Sequence, residues 1–393
     1  ATQRGGPSRL ARRSGRRHAH DLRTRRHAWR FLTGSSSRPR TQGRDCEQSG
    51  ACTPFVDGLF INSKKHVRAK MASKSVPPTP RPALVSFIVV VSVLIAGSMG
   101  ILIRSSTRGV GVTMQLVAAA KEPSIISAHA LLWMRATMLG INLFAMVLKV
   151  RQVQDKLVLH SSHSKLAPSV HIRIERGTWL TFFTVQSWGL QTLYLLGATA
   201  CSWLTATGGS LPPRFASVLP VALWIAFEVS FACALLISAV VKYVLIPRRI
   251  AAGASVDNFF TIADLLMHNC NTLFMSLELL FNSLPFEPLH FPLAAAWGLN
   301  YVIFSWWWLR MTGVCWYDFL DPTLPRAILV HCALICALGV FFGIGAGLAH
   351  GLAVLPLLPR VVVVFAGVLS VARTGILTGV PKSDPTSKAG NWQ

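Results

Sequence analysis

Asp264, His268, Asn271, Met275, Glu278 and Asn282 follow one another at steps of four, three, four, three and four within DLLMHNCNTLFMSLELLFN, the stretch 264–282. On a helix that spacing puts all six on one face. An imidazole one turn from a carboxylate is the arrangement of a general base and the group that orients it, and an amide one turn further on could stabilise an oxyanion. The remainder of the stretch is apolar enough to cross a membrane, where an Asp near the bilayer centre costs about 2.5–3.5 kcal/mol on insertion scales. Such a helix needs neighbours that cover its polar line. The competing reading of Asp264 and His268 is a polar clasp that only specifies packing, and Glu278, about two turns deeper, fits an ion pathway equally well.

The elements that must position these groups are membrane helices. Of 393 residues, 52% are hydrophobic and 14% charged, with a mean hydropathy of +0.46, values that exclude an ordinary soluble domain. Apolar runs predict spans at 84–103, 129–148, 179–201, 219–245, 262–284, 291–308 and 328–348, and a marginal one at 361–377 broken by Arg373. The predicted fold is therefore all-α, a polytopic transmembrane bundle. Basic residues concentrate in the loops 149–178 (Lys149, Arg151, Lys156, Lys165, Arg173, Arg176) and 247–261, whereas 202–218 holds only Arg214 and 285–290 holds none. The positive-inside rule places the first two loops on the cytosolic side.

Parity of crossings then supplies a nucleophile for the base. The spans beginning at Trp179 and Ile262 both start from the side of the basic loops, and the loop 309–327 returns to that side. Thr184 lies five residues into its span and His268 six into its own, so at 1.5 Å per residue both sit roughly 8–9 Å inside the boundary. Imidazole can take the proton of a hydroxyl too weakly acidic to attack unaided, which makes Thr184 the candidate nucleophile and His268 its base. Asp264 would orient the ring and Asn271 would hold an oxyanion. A threonine that bonds its own helix carbonyls is the ordinary alternative for Thr184. In NYVIFSWWWLRMTGVCWYDFLDP (300–322), Trp306, Trp307, Trp308, Trp316 and Tyr317 suit a membrane interface, and Asp318 and Asp321 suit the mouth of a site.

The formal charge of +24 invites a nucleic-acid reading. Residues 1–70, however, hold 17 Lys+Arg against 4 Asp+Glu, more than half of that excess, without periodicity and with few aromatics. They read as a disordered segment, either translated sequence upstream of Met71 or a transit peptide, ahead of a nucleic-acid arm. The eight cysteines form no CxxC pair, so neither a disulfide framework nor a zinc site is expected.

Three stretches carry a likeness to known proteins: MHNCNTLFMSLELLFNSLPF (267–286), YVIFSWWW (301–308) and TGVCWYDFLDP (312–322). Together they resemble the androgen-induced-gene and rolling stone-like family of multi-pass membrane proteins, over a six-span core from about 129 to 348. The resemblance implies a His-led polar helix with an acidic residue ten positions on, matched here by His268 and Glu278. In animal members a membrane Thr and a membrane His catalyse hydrolysis of fatty acid esters of hydroxy fatty acids; rolling stone-like members are associated with cell fusion instead. The Thr carries over to Thr184 through GTWLTFFTVQSWGLQ (177–191), with a Trp spacing one residue different and Thr181 as a rival, and Asp318 stands where a Pro is common.

The expectation is thus a membrane-embedded ester hydrolase of lipids with Thr184, His268, Asp264 and Asn271 as catalytic residues and Glu278, Trp316, Tyr317 and Asp321 in contact with substrate. No metal or organic cofactor is required, the substrate enters from the bilayer, no nucleic acid is bound, and the endoplasmic reticulum or plasma membrane is the expected location. The expected organisation is a basic segment 1–70, an N-terminal span and connector 71–128, the core 129–348, and a marginal span with a polar tail 349–393. The alternatives are a non-enzymatic rolling stone-like protein and a proton-coupled transporter.

Overall fold

A computed structural model describes residues 82–109, 111–160, 163–167, 169–175 and 177–373. The expectations for the basic segment 1–70 and for the polar tail after 373 lie outside the described residues. Those described are mostly helical: α1 Pro82–Gly109, α2 Met114–Ala118, α3 Ala128–Arg151, α4 Phe183–Ala206, α5 Pro213–Ala216, α6 Leu219–Val240, α7 Ile246–Ala251, α8 Ile262–Leu265, α9 Asn271–Phe281, α10 Phe291–Thr312, α11 Ala327–Ala353 and α12 Leu357–Val371. Four helical stretches are long and apolar enough to cross a membrane: Leu84–Arg104, Ala128–Arg151, Pro213–Ala251 and Ala327–Ala353. The helices at 183–206, 262–281 and 291–312 are about as long but less apolar, and the marginal run near the C-terminus yields only the 15 residues of α12. At 1.5 Å per residue, α12 is shorter than the roughly 30 Å hydrocarbon core.

Each element starts and stops for identifiable reasons. Ser127 caps α3 by accepting the Ala130 N–H at 3.1 Å, and Lys149 and Arg151 stand in its last turn, where cations offset the helix dipole. α10 ends at Gly313, whose φ of 76° lets its N–H turn back to Leu309 O at 2.7 Å. α6 is largely apolar, apart from the buried Glu228, Ser230 and Ser238, and lies in the most enclosed of those four stretches; Leu223, Trp224, Phe227, Phe231 and Leu236 belong to the largest buried cluster, shared with α4, α9, α10 and α11. α1 is its opposite: Leu84 and Ile88 pack into a cluster with Leu299, Tyr301 and Val302 of α10, while Val89, Val90, Val93, Leu94 and Ile101 are exposed. An apolar helix so little covered by protein has the surface of one that faces lipid.

The region between α3 and α4, expected to be a basic loop, contains an antiparallel hairpin. β1 Gln154–Leu159 pairs with β2 Ser169–Ile174 in the register Gln154 with Ile174 to Leu159 with Ser169. Val158 and Ile174 turn inward to join Trp179, Phe182 and Trp316. After the hairpin, Gly177 (φ 85°) opens a 3₁₀ turn, Thr178–Thr181, from which α4 begins.

Candidate functional site

Two π-helical turns flank the space where α3, α4, α6 and the His268 helix approach one another. In the first, Val241–Leu245, the Ile246 N–H reaches back five residues to Val241 O; Pro247, which has no N–H to donate, follows at once. The second, Leu266–Cys270, joins α8 to α9 and carries His268. Side chains from other elements bond carbonyls in and just before it. Ser238 Oγ donates to His268 O at 2.5 Å, and Arg373 Nη2 donates to Asp264 O at 2.6 Å. Arg373 is also tied to Asn269, its N–H reaching Asn269 Oδ1 at 2.9 Å while Asn269 Nδ2 donates to its carbonyl at 3.0 Å.

The widened turn has a direct effect on the polar line. One inserted residue rotates everything after it by about 100°, so Asp264 and the residues beyond Cys270 no longer share a face. Asp264 faces Lys149 of α3, whose Nζ lies 2.9 Å from both carboxylate oxygens, and it accepts a further hydrogen bond from Thr261 Oγ1 at 2.6 Å. Its nearest approach to His268 is 3.9 Å, from Oδ1 to Nε2, beyond hydrogen-bond length. The carboxylate expected to orient the ring is thus engaged by a lysine instead. His268 is 6% exposed and its Nδ1 has no hydrogen-bond partner.

His268 and Thr184 line one cavity of about 870 Å³ including its open mouth, together with Lys149, Lys156, Trp316 and Tyr317. Thr181, the rival hydroxyl, is absent from that wall and donates to Thr178 O at 2.6 Å, which ties it to its own turn. Thr184 also lines a second cleft of about 760 Å³, walled almost wholly by apolar side chains such as Phe183, Leu236, Leu299 and Leu338. The polar cavity and the apolar cleft share Thr184, Tyr317, Val241 and Leu245. The Tyr317 phenol lies against Thr184; burial pushes it up to about 12, against the opposing influence of the Thr184 hydrogen bond, so it keeps its proton at neutral pH.

Other expected site residues lie elsewhere. Asn271 is not on the cavity wall; its Oδ1 accepts from Thr272 N at 2.6 Å and from Ser238 Oγ at 3.3 Å. Asp321 is fully buried in the loop after α10, accepting from Thr323 N at 2.8 Å and bonding Ser164. Glu278 is fully buried and held by Arg135 of α3, with Nε and Nη2 each 2.9 Å from one carboxylate oxygen. Tyr194 donates to Glu278 at 2.5 Å and Asn282 at 3.1 Å, while Arg135 Nη1 reaches Val117 O and Ser202 Oγ, both at 2.8 Å. Sequence reasoning passed over Arg135, although it is an arginine inside an apolar run and Glu278 is an acid in another. It also passed over Lys149 and Lys156 as site residues, having assigned both to a loop.

Lys156 projects from β1 into the polar cavity. Burial, with Lys149 and Arg249 nearby, lowers its ammonium to about 7 despite the attraction of Asp264. Against an ordinary lysine near 10.4, that makes the neutral amine roughly a thousand times more abundant at pH 7. A small amine-acylating reagent at pH 7 is therefore expected to modify Lys156 well before the exposed Lys165, as read by peptide mass spectrometry. Equal rates at the two lysines would remove the basis for a depressed value.

Among the described residues no group of three or more His, Cys, Asp or Glu side chains is placed to hold a metal ion. In comparisons with protein-family models, with curated proteins and with solved structures, nothing matches this chain.

Proposed function

We propose that this chain is a membrane-embedded hydrolase of lipid esters, acting on fatty acid esters of hydroxy fatty acids or similar lipids. The observation that carries the reading is that Thr184 and His268 line one cavity, and that Thr184 also lines an apolar cleft. In the proposed mechanism Thr184 Oγ1 attacks the acyl carbonyl while His268 takes its proton and then returns it to the leaving alcohol. The same imidazole deprotonates a water that attacks the acyl-threonine, and the proton returns to Thr184 as the acid leaves. The Tyr317 hydroxyl, beside Thr184 and protonated at neutral pH, is a better placed oxyanion donor than Asn271. The acyl chain would lie in the apolar cleft.

The proposal includes the finer architecture: a multi-pass protein with a six-span core over 129–348, flanked by the span at 84–103, residing in the endoplasmic reticulum or plasma membrane. Membership of the androgen-induced-gene and rolling stone-like family is part of the same proposal, on the motifs at 267–286, 301–308 and 312–322. The bidentate Arg135–Glu278 pair favours a packing role for the deeper end of the polar line over proton-coupled transport. The non-enzymatic alternative draws on the Lys149–Asp264 pair, which can serve as a clasp alone.

A fluorophosphonate probe applied to membranes separates the readings. Labelling is expected in the native protein and in Thr181→Ala, and is expected to vanish in Thr184→Ala and to fall at least tenfold in His268→Ala. Labelling that survives Thr184→Ala would sink the nucleophile, and an unlabelled native protein would favour the non-enzymatic reading.

A further inference from the structure

We propose that the polar cavity holds an anion subsite, in which the Lys156 ammonium and the Trp316 indole N–H read the negatively charged head of a lipid whose chain lies in the apolar cleft. The charges around the cavity do not cancel. Lys149 is matched by Asp264 and Arg248 by Asp318. Arg249 gives its Nε to Ser255 O at 3.1 Å and its Nη1 to Leu157 O at 3.0 Å, both neutral acceptors. Lys156 forms no ion pair and no hydrogen bond among the described residues; Asp264, committed to Lys149, attracts it only at longer range, and its Nζ lies 4.4 Å from the Phe182 ring. Two cations thus remain without a carboxylate in contact, and an anion arriving at the Lys156 amine would hold it in its charged form and pair with it.

The second observation is independent of charge. Trp316 is 7% exposed, lines the same cavity, and its Nε1 has no hydrogen-bond partner. An indole nitrogen can only donate, so what is missing there is an acceptor. A buried donor left unmatched is costly, and a small movement of the indole at the cavity wall would let a ligand supply its acceptor. A ligand that is both anionic and rich in acceptor oxygens, a carboxylate or a phosphate, answers both deficits. The third observation sets the rest of the molecule: the polar cavity and the apolar cleft share Thr184 and Tyr317 in their linings, so a chain that passes between them from a head at Lys156 lies past the proposed nucleophile.

This inference rests on the hydrolase reading only for the fate of the lipid; binding of the head requires no hydrolysis. It is tested on the full chain in phosphatidylcholine nanodiscs with radiolabelled oleate and oleyl alcohol, which share a chain and differ in charge. Oleate is expected to bind at least tenfold more tightly than the alcohol, and to slow acylation of Lys156 by the amine reagent. Lys156→Met is expected to weaken oleate about tenfold, Trp316→Phe a few-fold, and Lys156→Arg little, while the alcohol is indifferent to all three. Competition by 1-oleoyl lysophosphatidate more potent than oleate assigns the subsite to phosphate, and weaker competition assigns it to carboxylate. Equal affinity for oleate and oleyl alcohol, or oleate binding unaffected by Lys156→Met, overturns the subsite. Thr184→Ala separates the two ideas. Head-selective binding without any turnover in the native protein refutes the hydrolase alone, and turnover indifferent to a charged head refutes the subsite alone.

Discussion

Replacing Arg135 by leucine is expected to destabilise the protein by about 3–5 kcal/mol, because it leaves the Glu278 carboxylate buried without its counter-charge. The two side chains are both fully buried and joined at 2.9 Å on two oxygens. The loss spreads further: Val117 O and Ser202 Oγ lose a donor, and the hydroxyl of Tyr194 is left to bond an uncompensated charge. With a total stability of roughly 5–15 kcal/mol for a folded domain, such a deficit at the low end leaves at most about 2 kcal/mol, and at its largest unfolds about half of the population. The double replacement Arg135→Leu with Glu278→Leu is expected to recover most of the loss, since removing both partners of a buried pair is often close to neutral. Size-exclusion profiles and thermal unfolding in detergent report both. A single variant as stable as the native protein, or a double variant worse than the sum of the singles, would show that the pair is not a clasp.

The second large effect concerns Tyr317. If its hydroxyl stabilises the developing oxyanion at the ester, Tyr317→Phe is expected to lower kcat about 10²–10³-fold with little change in KM or in the amount of folded protein. Asn271→Ala, by contrast, is expected to act through stability, since its carboxamide oxygen serves Thr272 and Ser238 and it does not line the cavity. The ordering is the informative outcome. A kcat more sensitive to Asn271→Ala than to Tyr317→Phe would return the oxyanion role to the asparagine.

The contrast between those residues marks where the sequence was legible. Steps of three and four from Asp264 to Asn282 identified a helix with a polar face, because α-helical periodicity is a local property. The π-turn at Leu266–Cys270 is not local in that sense. No Pro or Gly announces it, and side chains distant in sequence bond carbonyls in and just before it, Ser238 at His268 O and Arg373 at Asp264 O. It turns one apparent line into two, so Asp264 and His268 fell to one cavity and Glu278 to another environment. The depth argument that paired Thr184 with His268 needed only helix rise and crossing parity, and the two do line a common cavity. Partners were harder to read, because Lys149 and Arg135 come from α3 and nothing local in sequence pairs them with Asp264 or Glu278. The hairpin was legible and missed: the run VHIRI alternates as a strand should, but the basic residues around it read as a loop.

The Arg135–Glu278 pair also fixes an order of events during synthesis. Its members are 143 residues apart in the chain, and at 5–20 residues per second the arginine of α3 is made roughly 7–30 s before its acid exists. For that interval a helix bound for hydrocarbon carries a bare guanidinium, which must stay at the water boundary or in the insertion machinery. α3 therefore settles into its final depth only after α9 has emerged, and a ribosome halted before residue 278 would leave α3 waiting at the surface.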